Sequence, residues 1–312
     1  MLRSAFLYLA GQQQIFKFVR NNRLAKSFAN RFVAGETLDS ALSAVARLNG
    51  RGCSASLDLL GESVHTEAEA QAAGEAYITM LDRIHEQKAD ANVSVKLTAM
   101  GLDISEDLCI AIMHKILARA RDCSSFVRID MESSEYTERT LDLFERRLCP
   151  AYPQHVGIVL QSYLFRTFAD VERAILIKAR VRLCKGAYKE PETVAYPEKK
   201  DVDLNYIRCM HELMLHGNYP GIATHDEAII REAKRFAREN NISSDRFEFQ
   251  MLYGVRRDLQ DKLVREGYRM RVYVPFGTQW YPYLMRRLAE RPANVAFLTG
   301  SMFKEMVGRR RR

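Results

Sequence analysis

The chain has 312 residues, enough to bury a substantial core as one large domain or two small ones, and its 47% hydrophobic and 28% charged content excludes a disordered chain. It is basic, with a net charge of +8, and part of the excess gathers at the ends, in Arg3, Lys17, Arg20, Arg23, Lys26 and Arg31 and in the arginine run at 309–312. Basic ends suit an anionic membrane surface or a nucleic acid; with no DNA- or RNA-binding motif beside them, a weak peripheral contact with the inner membrane surface is expected and no nucleic acid.

The six cysteines, Cys53, Cys109, Cys123, Cys149, Cys184 and Cys209, are scattered and form no CxxC pair. That argues against a zinc site or a secreted disulfide framework and for reduced, mostly core thiols of a cytoplasmic protein. The opening MLRSAFLYLAG is followed by a polar QQQ and a second amphipathic segment, so a signal peptide is not expected. No run reaches the roughly 18 apolar residues of a membrane-spanning helix.

In chain order, residues 1–33 read as one or two amphipathic helices, with Ile15, Phe16, Phe18, Val19, Leu24, Phe28, Phe32 and Val33 near helical spacing. A further helix carries Leu38, Leu42, Val45 and Leu48 and ends at Gly50. Residues 1–50 are therefore expected to form a helical arm packed on a main domain at 51–312. From there short β-rich runs alternate with longer helical patterns. Strands are expected at 55–60, 92–97, 126–131, 156–160, 181–184, 221–224, 247–252 and 270–274. Helices are expected at 67–86, 106–121, 138–146, 167–179, 204–216, 226–239 and 255–266. Eight strands, each followed by a helix, predict a (β/α)₈ barrel. An open doubly wound sheet would carry a Gly-rich first turn, and no GxGxxG occurs.

Chemistry in such barrels sits at the C-terminal ends of the strands. Those positions hold Asp58 and Glu62, Lys96, Asp130 and Glu132, Gln161, Arg182 with Lys185, Thr224 with His225, Gln250, and Tyr273. They read either as a site or as an ion-pair network closing the barrel top. In RLCKGAY, Gly186 would let backbone approach a ligand while Arg182 and Lys185 supply charge, suiting a phosphate, a pyrophosphate or an electron-rich ring. In ATHDEAII a strand ends and a helix opens, with Thr224 or Asp226 as cap and amides that suit an anion.

The last βα unit, RVYVPFGTQWYPYLMRR at 271–287, places Tyr283, Arg286 and Arg287 at i, i+3 and i+4 on one helical face. Two guanidiniums on one face call for an anion between them, best a small carboxylate, unless the helix end is merely solvated. HELMLH at 211–216 is not the zinc-protease pattern, because its histidines are five residues apart. Lys96 or Lys185 as an imine former would make a barrel lyase or aldolase, and a noncatalytic membrane or nucleic-acid binder is a third class.

Taken together, SLDLLGE, SVKLTAMG, RIDMES, VLQSYL, RLCKGAY, ATHDE, FQMLYG, RVYVPFG and YLMRRLAE resemble the proline dehydrogenase family, in order over residues 55–298. The resemblance implies a distorted (β/α)₈ barrel and noncovalent FAD. It also implies oxidation of L-proline to Δ1-pyrroline-5-carboxylate by hydride transfer to flavin N5, the first step of proline catabolism, with electrons passed to a membrane quinone. Carried over by motif, Arg286 and Arg287 would grip the proline carboxylate, with Glu62 pairing with Arg286 as a gate. Tyr273, Tyr283 and Leu252 would surround the pyrrolidine ring. Lys96 and Asp130 would lie at the reacting face and Arg182 would donate toward flavin N5, while Met131, Gln161, Lys185, Gly186, Ala187, Thr224 and His225 match positions that hold FAD. Two departures stand out: Lys189 follows KGAY where fused bifunctional members carry an aromatic, and Tyr283 follows Tyr273 by only ten positions. The chain stops soon after RRLAE, so a monofunctional enzyme of bacterial type is expected.

Overall fold

The computed structural model of the chain describes residues 29–61 and 64–290, with the side chains of the last helix described as far as Met285. Helix α1 (Leu38–Asn49) precedes strand β1 (Ser54–Leu59), and strand and helix then alternate. The order is α2 (Glu67–Glu86), β2 (Ala91–Val95), α3 (Glu106–Asp122), β3 (Val127–Ile129), α4 (Ser134–Leu143), β4 (Val156–Gln161), α5 (Thr167–Leu176) and β5 (Arg180–Cys184). It continues with α6 (Lys199–His216), β6 (Gly221–Ala223), α7 (Glu227–Glu239), β7 (Glu248–Leu252), α8 (Arg257–Arg265), β8 (Met270–Phe276) and α9 (Trp280–Glu290). Each strand pairs parallel with the next, and β8 closes the barrel on β1.

All eight expected strands are present, and the differences lie at their ends. β8 runs to Phe276, beyond the expected 274, because Pro275 and Phe276 keep register with Asp58 and Leu59 of β1. β3 stops at Ile129, so Asp130 and Met131 sit just past the strand rather than in it. α6 starts at Lys199 instead of 204, since its first turn, KKDVD, has no apolar stripe to announce it. α4 likewise begins early, at Ser134, and continues through one π-helical turn, Phe144–Leu148. α2 matches its expected bounds; its start is set by a capping box in which Thr66 and Glu69 satisfy each other's backbone N–H groups.

Along the strands one phase is apolar and packs under the helices. Leu57, Val95, Ile129, Ile158, Leu183, Ile222, Phe249 and Val272 are each at most 2% exposed and belong to one continuous core that also takes in α1. The other phase is polar and meets itself inside the barrel: Ser56 bonds Ser94, Arg182 reaches both serines, and Arg271 reaches Asn92. Barrel interiors are ordinarily filled by branched apolar side chains. Here a hydrogen-bonded polar column takes that place. The expectation that polar groups gather at the rim is thus too shallow, because they continue to the floor. At that floor Glu248 accepts from Arg271 Nε at 2.7 Å and from the Tyr219 hydroxyl at 3.1 Å. Burial alone would raise the Glu248 carboxyl, but the charge and hydrogen bond of Arg271, with Arg128 and the Gln250 amide, hold it down at about 2.

α9 does not join the main core. Trp280, Tyr281, Tyr283, Leu284 and Met285 cluster with Ala29, Phe32, Val33 and Leu60, against Val255. Leu60 and Val255 lie just past the C-terminal ends of β1 and β7, so the first half of α9 rests at the barrel mouth.

Candidate active site

A cavity of about 720 Å³ opens at the C-terminal ends of the strands. Its deep end holds Asp58, Lys96, Asp130, Arg182 and Tyr273, and its outer end Lys199, Glu227 and Arg256. β1, β5 and β8 carry three of the five deep groups; Lys96 comes just after β2 and Asp130 just after β3, its backbone N–H bonded to the Val95 carbonyl.

The deep groups form one network. Lys96 Nζ lies 2.9 Å from Asp58 Oδ1 and 4.0 Å from Asp130 Oδ2. Asp130 accepts from Arg182 Nη1 and from the Tyr273 hydroxyl, both at 2.7 Å. The Arg182 guanidinium also lies 5.2 Å from the Tyr273 ring centroid, within cation–π range. Burial first, and then the negative charge of Asp130, push the Tyr273 hydroxyl well above its ordinary range, so it stays protonated and donates.

Farther out, three loops are tied together by charge. Lys185 Nζ sits between Asp203 at 2.6 Å and Asp226 at 2.9 Å, while Asp226 caps α7 by accepting from Ala228 N at 3.0 Å. Burial would raise the Asp226 carboxyl, but Lys185 and the cap hydrogen bond bring it below its ordinary value. Thr224 Oγ1 accepts from Asp226 N. Of the two expected caps, then, Asp226 closes the helix and Thr224 shapes the turn before it. His225 Nε2 accepts from Leu252 N at 2.9 Å, which puts any single ring proton on Nδ1 and joins the β6 loop to β7. Glu190 accepts from Ser134 N at 2.8 Å and from the Tyr163 hydroxyl at 3.0 Å, pinning the loop after β5.

Thirteen of the expected site residues line this one cavity: Lys96, Asp130, Met131, Gln161, Arg182, Lys185, Gly186, Ala187, Thr224, His225, Leu252, Tyr273 and Tyr283. Glu62 and the side chains of Arg286 and Arg287 lie outside the described residues. Two carboxylates hold Lys185 in place. Gly186 has a φ of +109°, and a Cβ there would fall 2.4 Å from the Tyr163 ring, so that packing by itself already requires a glycine. Glu132 turns away from the cavity and accepts from the Thr98 hydroxyl at 2.7 Å. The serines and Glu248 beneath Arg182 were not among the expected site groups; their signal is the polar phase of strands whose other phase is apolar. His211, set aside as a metal ligand, pairs with Glu232 at 2.9 Å and stacks on Phe236. None of the six cysteines forms a disulfide, and five are buried. Among the described residues, no helix is long and apolar enough to cross a membrane.

A closed parallel barrel whose acids, cations and amides converge at the C-terminal ends of its strands is the architecture of barrel enzymes. The family model described as proline dehydrogenase matches residues 41–300, and the chain belongs to that family. Proline dehydrogenase 1 of Bacillus subtilis subsp. natto is 43% identical over 98% of this chain and all of its own length. Proline dehydrogenase of Deinococcus radiodurans is 41% identical over 97% of this chain and 98% of its own. Among solved structures, proline utilization A from Bdellovibrio bacteriovorus, inactivated by N-propargylglycine, superposes with a TM-score of 0.81 at 28% identity. That match covers 89% of this chain and 34% of the larger protein.

Proposed function

We propose that this chain oxidises L-proline to Δ1-pyrroline-5-carboxylate using noncovalently held FAD, and passes the electrons to a membrane quinone. The observation that carries the reading is the network of Lys96, Asp130, Arg182 and Tyr273 at the closed end of a long cavity. Its volume lies within the range of ligand pockets, roughly 300–1,000 Å³. The donor set fits a flavin dinucleotide. Arg182 offers a fixed guanidinium at the deep end, and Lys185, Lys199 and Arg256, each ion-paired with carboxylates, are the cations at the outer end that phosphates would meet. Since the Asp226 carboxylate already occupies the start of α7, phosphates would be met by those side chains, and Gln161, Met131, Gly186, Ala187, Thr224 and His225 would wall the flavin.

When bound, FAD supplies the hydride acceptor at its N5. Everything else is assigned to the protein. Arg286 and Arg287 take the substrate carboxylate, with Glu62 pairing Arg286 to close over it, and Tyr273, Tyr283 and Leu252 shape the space for the ring. Fixing the carboxylate fixes the ring, and so aims the carbon beside nitrogen. The Lys96 charge disfavours a second cation nearby, and so favours the unprotonated amine that hydride loss requires. Asp130 holds Arg182 and Tyr273 in place for both partners. The basic ends of the chain are assigned to peripheral docking on the cytoplasmic membrane face, where a quinone is reached.

Purified protein should be yellow, with a flavin spectrum bleached by L-proline. Colourless protein that borohydride traps on a keto substrate would instead make it a Schiff-base lyase.

A further inference from the structure

The Arg182 guanidinium is held by Asp130 beside it and by Gln250, Ser94 and Ser56 beneath it. Its Nε donates to Gln250 Oε1 at 2.5 Å, its Nη1 to Asp130 and to Ser94 at 3.2 Å, and its Nη2 to Ser56 at 3.3 Å. Gln250 Nε2 in turn donates to Glu248 Oε1 at 2.6 Å, and Glu248 is anchored by Arg271, which also bonds the Ala55 carbonyl at 2.8 Å. Glu248, Gln250 and Arg182 are 3%, 4% and 5% exposed. An apolar filling would serve stability at least as well as a buried ionic column.

We propose that Glu248 and Gln250 are positioning residues that set the orientation of Arg182, acting through the direction of the Gln250 amide. This rests on the assignment of Arg182 to the flavin given above. A glutamine amide has a donor end and an acceptor end, and its neighbours decide which way it points. Ionised Glu248 accepts only, and its low carboxyl keeps it so at neutral pH. It therefore claims the Nε2 end and turns Oε1 toward Arg182 Nε. With Glu248 made neutral, the amide is free to turn and present its donor end to a guanidinium that has only donors. Gly221 on β6 makes the arrangement possible: a Cβ there would lie 2.4 Å from Gln250 Nε2. The column thus carries a fixed charge at the barrel floor into a fixed tilt of a cation at the deep end of the cavity, as an outer layer of hydrogen bonds does for groups that contact substrate.

The test compares FAD-loaded wild type, Gln250→Leu, Glu248→Gln and Arg182→Ala. Two readouts are taken: anaerobic flavin reduction by L-proline, and proton exchange of the Arg182 Nε–H by ¹⁵N NMR of the resting protein, its signal identified by its loss in Arg182→Ala. Gln250→Leu and Glu248→Gln should each slow reduction at saturating proline about ten- to hundredfold, the loss of one buried charge-assisted hydrogen bond. The KM for proline and the flavin content should change little, and the Nε–H should exchange faster in both variants. Should Gln250→Leu fail to fold, the nearly isosteric Glu248→Gln carries the same comparison. Slow Arg182→Ala beside full-rate Gln250→Leu and Glu248→Gln, with the Nε–H still protected, overturns the proposal alone. Full-rate Arg182→Ala overturns the assignment of Arg182 and the proposal with it.

Discussion

Replacing Asp130 by alanine removes the one carboxylate that accepts from both Arg182 and Tyr273. Arg182 keeps Gln250, Ser94 and Ser56 as acceptors, and Lys96 keeps Asp58 at 2.9 Å, so neither cation is left wholly unpaired. The loss is then one charge-assisted bond from Arg182, about 1.5–3 kcal/mol, and part of a second from the tyrosine hydroxyl, about 1 kcal/mol. Together these amount to roughly 2–4 kcal/mol, or on the order of 5–10 °C in Tm for a domain this large. Such a protein should still fold and still take up flavin, because the outer walls at Thr224, His225 and Gly186 are untouched. The rate of flavin reduction should fall by a larger factor than flavin content does, since Asp130 lies at the deep end of the cavity, where the reaction is proposed to occur. Calorimetry, flavin content by absorbance and anaerobic stopped flow on one preparation give all three numbers. A variant that loses flavin yet reduces what remains at the wild-type rate would make Asp130 structural and refute the reasoning.

Glu248 makes a separate prediction about acid. Its folded value of about 2 lies below the ordinary 4.5, so its contribution is fully present above 4.5 and is lost as pH falls toward 2. That difference corresponds to roughly 3 kcal/mol. The gap in Tm between wild type and Glu248→Gln should therefore narrow as pH falls below 4.5, as thermal melts will show; a constant gap would contradict it. Gly186→Ala should lower stability by roughly 1–3 kcal/mol, through its positive φ and the Tyr163 ring, and should also lower flavin content. Full flavin content in a folded variant would remove this loop from the cofactor site. Arg287→Met should weaken proline binding by roughly 2–5 kcal/mol if the carboxylate pair is desolvated, measured as quenching or bleaching against proline concentration. Unchanged affinity would remove Arg287 from the substrate site.

The barrel is legible in the chain because each β-rich run is short and each is followed by a helical pattern of its own; strand ends are not, because pairing across the barrel decides them, as at Pro275 and Phe276. Rim residues such as Lys96 and Asp130 are legible for a different reason: an ionisable group at a strand end in a barrel has few other uses. The polar column beneath them is harder to see. Both faces of a parallel strand are buried, so alternation separates two phases without saying which one lines the lumen. Ser56, Ser94 and Glu248 pass for that reason as ordinary strand residues, and only their contacts with Arg182 and Gln250 give them a place. At Gly186 the sequence offers a ligand as the reason for the glycine, and the Tyr163 ring adds a second reason that only the structure shows. Lys185 could not be seen as engaged, because Asp203 and Asp226 lie 18 and 41 positions away.

The central claim is that the network of Lys96, Asp130, Arg182 and Tyr273 faces a flavin that takes a hydride from proline. Anaerobic stopped-flow mixing of the purified protein with L-proline, followed by a quinone, tests it most directly. The flavin absorbance should bleach with a rate that saturates in proline and should return when quinone is added. A flavin spectrum that proline leaves unchanged, or protein that carries no flavin at all, would contradict it.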